Sequence, residues 1–176
     1  MPENKRPNGL KHAAAEKLAD ILENENLLYI DAAAISVKKT DIIVHGKIEE
    51  LDSLVKAEQA IIIKIGKLEG EREKAVNELS AELGLDLDGA TLSDINAYLD
   101  RDSYERLTSC QKSLAATLSG LKNTNETNSQ LIQNALDYVN FSVNLIVTNQ
   151  NTGATYSRDG EEDSVGRRRN VFDVRL

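Results

Sequence analysis

Apolar residues recur at steps of three and four along most of this chain, and this spacing is typical of amphipathic helices. A first run of this kind covers residues 10–44 and stops at Gly46. Glycine commonly ends a helix in the left-handed conformation, so we expect the first helix to end there. A second run begins almost at once, which predicts that the two helices fold back on each other as an antiparallel hairpin.

The second run, residues 47–83, has the most regular pattern of the chain. Its seam alternates steps of three and four without a slip, through Leu51, Leu54, Glu58, Ile61, Ile65, Leu68, Arg72, Ala75 and Leu79. This is a heptad seam, and the charges at two of its positions are expected to set register or oligomeric state. Ile62 flanks the seam and Ile63 points away from it. We favour a second packed helix over an external partner as the neighbour of that face.

The second half of the chain predicts one short helix and one long helix. Thr91 and Asp94 have the spacing of a capping box ahead of a short helix at 92–99. Asp102 and Glu105 repeat that spacing before a helix over 102–148. Its seam runs through Leu107, Cys110, Leu114, Leu118, Leu121, Leu131, Ala135, Val139, Ser142 and Ile146. Lys122–Gln130 contains no apolar side chain, which indicates either local weakness or a polar contact.

Together these elements predict an all-α fold, an elongated antiparallel helical bundle or coiled coil with three long helices and one short helix. We expect residues 1–150 to form the bundle and residues 151–176 to form a polar, flexible C-terminal tail. Only Pro2 and Pro7 could break a helix, and both lie near the start. The chain has five tyrosines, two phenylalanines and no tryptophan, which argues against an all-β fold.

Charge and composition narrow the function classes. The net charge is −8, so we expect no nucleic-acid partner, because a nucleic-acid footprint is normally basic. No stretch approaches the roughly 20 apolar residues of a spanning helix, so no membrane insertion is expected. The single cysteine excludes an internal disulfide and fits a reducing compartment. These features predict a cytoplasmic protein.

No pattern in the sequence indicates catalysis. His12 and His45 have no second ligand at metal-binding spacing, and we expect both on the surface. Cys110 occupies a seam position and is expected to act as a small buried apolar residue. There is no glycine-rich phosphate loop. We therefore expect no catalytic, metal-binding or cofactor-binding residues, and no enzyme.

Candidate partner-binding residues lie toward the C-terminus. Phe141 falls off the seam of the third helix, as either a rim residue or a docking point. The segment Val171–Leu176 could be disordered, dock on the bundle or engage a partner. The residues predicted to bind a partner are Leu131, Ile132, Tyr138, Phe141, Leu145, Val171, Phe172, Val174 and Leu176.

Several segments resemble the FlgN family when taken in order. The stretch Glu58–Arg72, which ends in Leu-Glu-Gly-Glu-Arg, is similar to that family's Leu-Glu-x-Glu-Arg pattern. Asn125 and Asn128, followed by an amphipathic helix, resemble its Asn-x-x-Asn, and Tyr156 with Gly160 resembles the Tyr…Gly of its tail. The hairpin at 44–46 also lies where that family turns between its first two helices.

The resemblance implies a cytosolic chaperone of the flagellar type III export system. Such a protein binds exported hook-associated proteins of the hook–filament junction, keeps them unassembled and delivers them to export apparatus components. The family's partner-binding region is similar in place to residues 129–176. The alternative is a structural or adaptor coiled coil that dimerises through residues 51–79, and a homodimer is left open.

Overall fold

The computed structural model describes residues 12–88 and 91–151. It contains four helices: α1 (Ala13–His45), α2 (Ile48–Leu83), α3 (Leu92–Ile95) and α4 (Arg101–Asn151). The predicted all-α bundle of three long helices and one short helix is confirmed. Contacts divide the chain into two units, Met1–Ala135 and Leu136–Leu176, which are described separately below. The start of the predicted bundle, residues 1–11, and the predicted tail beyond residue 151 lie outside the described residues.

Glycines end both α1 and α2, the first of them at the predicted position. Gly46 has φ 67° and Gly84 has φ 66°, the left-handed conformation that glycine adopts without steric cost. After α1, the Gly46 amide donates to the Ile43 carbonyl and the Lys47 amide donates to the Ile42 carbonyl. This pair of bonds is a Schellman motif. It satisfies the last carbonyls of α1 and turns the chain directly into α2, so the predicted hairpin is confirmed.

The heptad seam of α2 is the buried side of that helix. Every one of its nine positions is buried or half-buried, and Ile65, Ala75 and Leu79 are the most enclosed. Ile62 and Ile63 remain 58% and 63% exposed. The expectation that a second packed helix covers this face is therefore wrong for the described residues. The contact with α1 uses only the seam side of α2.

One continuous apolar core forms where α1 begins, α2 ends and α4 begins. It contains Ala14, Ala15, Leu18, Ala19, Ile21, Ala75, Leu79, Ile95, Leu99, Leu107 and Cys110. The alanines have short side chains and allow the helices to approach closely, while Leu79 and Leu107 fill the space between them at 1% exposure. Cys110 is 7% exposed, as predicted for a small buried residue. Burial also raises the pKa of its thiol, so the thiolate is disfavoured.

The segment between α2 and α4 is less helical than predicted. The α3 helix ends at Ile95 instead of residue 99, because the amides of Asn96 and Tyr98 bond to carbonyls only three residues back. This tighter turn still brings Leu99 into the core. The cap at Thr91 and Asp94 is present, with the Asp94 carboxylate accepting the Thr91 backbone amide at 2.7 Å.

The predicted cap of α4 at Asp102 and Glu105 is wrong by two residues. Asp100 caps the helix instead, since its carboxylate accepts the Ser103 amide at 3.1 Å and the Ser103 hydroxyl at 2.6 Å. A carboxylate that accepts the third amide of a helix is in the N-cap position. Glu105 lies one turn into the helix, where it pairs with Arg101 at 2.6 Å.

A row of polar contacts joins α1 to α4 above the apolar core. The Ser36 hydroxyl donates to Asn125 Oδ1 at 2.7 Å, and the Thr40 hydroxyl donates to Asn128 Oδ1 at 2.7 Å. Asn128 in turn donates to the Ser36 carbonyl at 2.9 Å. The polar stretch at 122–130 therefore holds α1 by hydrogen bonds, which is the polar-contact alternative of the prediction. The sequence separations of these pairs are nearly constant, 89 and 88 residues, so α1 and α4 run parallel.

Replacing Asn128 tests this row. Asn128→Ala should lower the free energy of unfolding by about 1–3 kcal/mol, because Asn128 is 4% exposed and its loss leaves buried polar groups without a partner. Urea unfolding followed by circular dichroism measures the change. The matched control Asn123→Ala, at an exposed position of the same helix, should stay within about 0.5 kcal/mol. Equal effects of the two changes would show that the row contributes no stability.

Candidate partner-binding surface

The second unit contains a stretch of α4, residues 136–148, whose apolar side chains are exposed. Among the predicted partner-binding residues, Tyr138 is 72% exposed, Phe141 60% and Leu145 51%. In the first unit, Ile132 is 42% exposed and Leu131 is half-buried. The predictions for Val171, Phe172, Val174 and Leu176 fall outside the described residues. Large exposed apolar groups on consecutive turns are unusual on a monomer surface and commonly mark interaction sites.

Sequence reasoning missed more than half of this surface, since it predicted three of its eight exposed large apolar residues. Val139 and Ile146 were predicted as buried seam positions, yet they are 54% and 60% exposed. The relative lengths of the helices explain the difference. The α1 helix ends at His45, five residues after Thr40, whereas α4 continues for 23 residues after Asn128, the partner of Thr40. Comparing these lengths in the sequence could have identified the exposed seam.

The exposed stretch of α4 carries almost no charge. Between Glu126 and Asn151, Asp137 is the single ionisable acid or base in the sequence. The polar positions of this stretch are mostly asparagine, glutamine, serine and threonine. A net charge of −8 on the whole chain makes this neutral segment distinct from the acidic remainder. Recognition here therefore depends on apolar contact and amide hydrogen bonding.

Each of the two charged residues in the α2 seam faces a residue of the opposite charge on α1. Lys39 Nζ lies 2.8 Å from Glu58 Oε1, and the two side chains are 14% and 19% exposed. Arg72 Nε lies 3.4 Å from Oε1 of Glu25, whose side chain is 4% exposed. Pairing across two helices is specific to one register. Lys39 and Glu25 were not identified from the sequence, because their role depends on which α2 residue lies beside them.

The Glu25–Arg72 pair is imperfect. At 3.4 Å, neither Oε1 of Glu25 nor Nε of Arg72 has a partner with hydrogen-bond geometry, so these two atoms attract each other as charges. Burial raises the pKa of the Glu25 carboxyl above its ordinary value, and the opposing effect of the Arg72 charge is smaller. Glu69 nearby raises this pKa further. Ionisation of Glu25 is therefore less favourable in the folded protein than in the unfolded chain.

Arg106 joins the start of α4 to α1 through three carboxylates. Its guanidinium lies 2.8 Å from Glu16, 2.6 Å from Asp20 and 2.9 Å from Glu23. These bonds raise the pKa of Arg106, and the hydrogen bond from Arg106 lowers the pKa of Glu23. Because all three carboxylates lie on α1, this cluster fixes where α4 docks along it.

The two histidines that were considered as possible metal ligands have the following surroundings in the structure. His12 was expected on the surface, but its ring is 14% exposed and Nδ1 lies 3.3 Å from Glu82, so that expectation is wrong. His45 is exposed, as predicted. In residues 12–88 and 91–148, no three side chains of metal-ligand type group together. A cleft of about 310 Å³ between the helices is lined mainly by leucines, with Arg72, Thr91 and Gln111 as its polar residues.

Within the described part of the chain, no helix has the length and apolar character needed to span a bilayer.

A helical bundle in which one helix has an exposed apolar stretch with a single charge has the physical features of a protein that binds other proteins. The family comparison gives this class a name, since the model of the FlgN protein family matches residues 14–164. That match covers most of the chain, and the chain belongs to the FlgN family. It is also 30% identical over 138 residues to the uncharacterized protein YvyG of Bacillus subtilis (strain 168). The alignment covers 78% of this chain and 84% of that relative. No solved structure gives a significant match.

The buried Glu25 carboxyl predicts a pH effect on stability. Its folded-state pKa is raised above the unfolded value, so its contribution favours folding at low pH and is lost as the pH rises through the folded-state pKa. Glu25→Gln removes the ionisable carboxyl, so the variant does not lose this stability as the pH rises. Between about pH 4 and pH 7, the difference in unfolding free energy should therefore move in favour of the variant. Urea unfolding at several pH values measures it.

The matched control for this experiment is Glu71→Gln, at an exposed position of α2. Its difference from the parent protein should stay constant over the same pH range. If Glu25→Gln loses stability relative to the parent as the pH rises, the attraction of Arg72 outweighs burial and our reading of the pair is wrong.

Proposed function

We propose that this protein is a cytoplasmic flagellar export chaperone. It binds hook-associated proteins of the hook–filament junction, keeps them unassembled and delivers them to the export apparatus. Membership of the FlgN family supports the flagellar chaperone role. The observation that carries the binding step is the exposed, neutral apolar stretch of α4 at residues 136–148.

An exported filament component needs a cover for the surface with which it assembles. Apolar helices of such components would associate early, and a second apolar helix can occupy the same surface until export. Burying one large apolar side chain contributes roughly 1.5–3 kcal/mol, so a few residues of α4 are enough for specific, reversible binding. Binding and release of this kind need no cofactor and no catalysis.

The alternative function, a structural or adaptor coiled coil that dimerises through residues 51–79, has less support. Its seam is already buried or half-buried inside the chain, and its charges are paired with Lys39 and Glu25 of α1. A dimer through that seam would require the hairpin to open.

Phe141 tests the proposed binding surface. Phe141→Ala should weaken binding of a hook-associated protein's terminal helical segment by about 1–3 kcal/mol, the range for interface anchors. Its side chain is 60% exposed, so the melting temperature should change little. Isothermal titration calorimetry on the full chain gives the affinity, and Asn144→Ala, an exposed polar position of the same helix, is the control. Unfolding by Phe141→Ala would show that the side chain is core and that the surface is misplaced.

The neutral character of the stretch predicts weak salt dependence. Affinity for the same segment should change less than about threefold between about 50 mM and about 500 mM salt, because Asp137 is its single charge and exposed charges are what salt screens. The same titration measures this. A steep fall in affinity with salt would instead place binding on the acidic surface of the first unit.

A further inference from the structure

The exposed part of α4 in the second unit has two apolar stripes. The tyrosine stripe comprises Tyr138, Phe141 and Leu145, and the valine stripe comprises Leu136, Val139, Val143 and Ile146. All seven side chains are between 43% and 72% exposed. At about 100° per residue, the centres of the two stripes lie about 150° apart around the helix.

Polar residues occupy the remaining sector of the helix. Asp137, Asn140 and Asn144 project together on the opposite side, and all three are exposed. The apolar positions thus extend over about two-thirds of the circumference, whereas the stripe of a helix with one buried face is about 100° wide. A single helix laid along one stripe leaves the other stripe in water.

The first unit shows how the same helix is covered when it has two neighbours. There the α4 seam residues Leu107 and Cys110 are buried in a core that includes Ala19 of α1 and Ala75 of α2. The seam continues along α4 at the same spacing through Val139 and Ile146. The valine stripe is therefore continuous in pattern with the α4 seam that packs in this core, and the tyrosine stripe is an additional apolar face of the helix.

We infer that the partner covers residues 136–148 with two amphipathic helical segments, one on each stripe. The contact faces of both segments are apolar and uncharged, since the stretch offers them one carboxylate, Asp137, on its polar side. This inference rests on the proposed chaperone function and adds the form of the bound partner. A partner with a single helix would satisfy only half of the surface.

Two leucines give a matched test. Leu136 on the valine stripe is 52% exposed and Leu145 on the tyrosine stripe is 51% exposed. Leu136→Gln and Leu145→Gln keep helix propensity and should leave melting unchanged. Each should weaken binding of a hook-associated protein's complete terminal helical region by about tenfold or more. Asn144→Gln on the polar side should change it less than twofold. Calorimetry with the full chain measures all four proteins.

The outcomes separate the inference from the function on which it rests. If the unmodified protein binds no hook-associated fragment, the proposed function fails. If it binds and only one leucine matters, the chaperone function stands and the two-segment inference is overturned.

Two other occupants of a stripe would also overturn the inference. One is a second copy, seen as a dimer in sedimentation that Leu136→Gln or Leu145→Gln dissociates. The other is the chain itself, seen as strong amide-exchange protection of residues 136–148 in the free monomer that either substitution removes. We expect a monomer with weak protection of these amides until the partner is added.

Discussion

The register between α1 and α2 is the constraint on which the rest of this structure depends. The Schellman turn at Gly46 sets where the two helices meet, and the pairs Lys39–Glu58 and Glu25–Arg72 fit only one alignment of them. A slip by one heptad would bury unpaired charges, which costs more than the pairs contribute. With the register fixed, the alanines at the start of α1 face Ala75 and Leu79, and the core has its shape.

The α4 helix then packs on that hairpin through contacts whose type changes along its length. Arg106 anchors its first turns to three carboxylates of α1, apolar residues fill the core, and Asn125 and Asn128 bond to Ser36 and Thr40 further along the helix. Buried amide and hydroxyl pairs demand specific alignment, whereas apolar surfaces tolerate sliding. The polar row thus fixes the alignment of α4 with α1 ahead of the exposed apolar stretch at residues 136–148.

Much of this could be predicted from the sequence, because helices and their ends are local properties. The three- and four-residue steps and the glycine after α1 located the end of α1 and both ends of α2 within one residue, and the start of α1 within three. The cap of α4 was misplaced because several acids compete within a few residues, and Asp100 has the better geometry. The exposure of Val139 and Ile146 was missed because periodicity reveals an apolar face and says nothing about whether a neighbour covers it. Lys39 and Glu25 escaped notice because a pairing partner on another helix depends on register.

The contrast between an acidic chain and a neutral apolar helix has a consequence for behaviour in concentrated solution. Exposed apolar stripes favour association between copies, while the net charge of −8 makes approaching copies repel one another. That long-range repulsion acts as a colloidal barrier, and it weakens in high salt or as the carboxylates are protonated in acid. The net negative charge thereby keeps copies of the protein apart, and the exposed apolar stretch of α4 stays available for a partner.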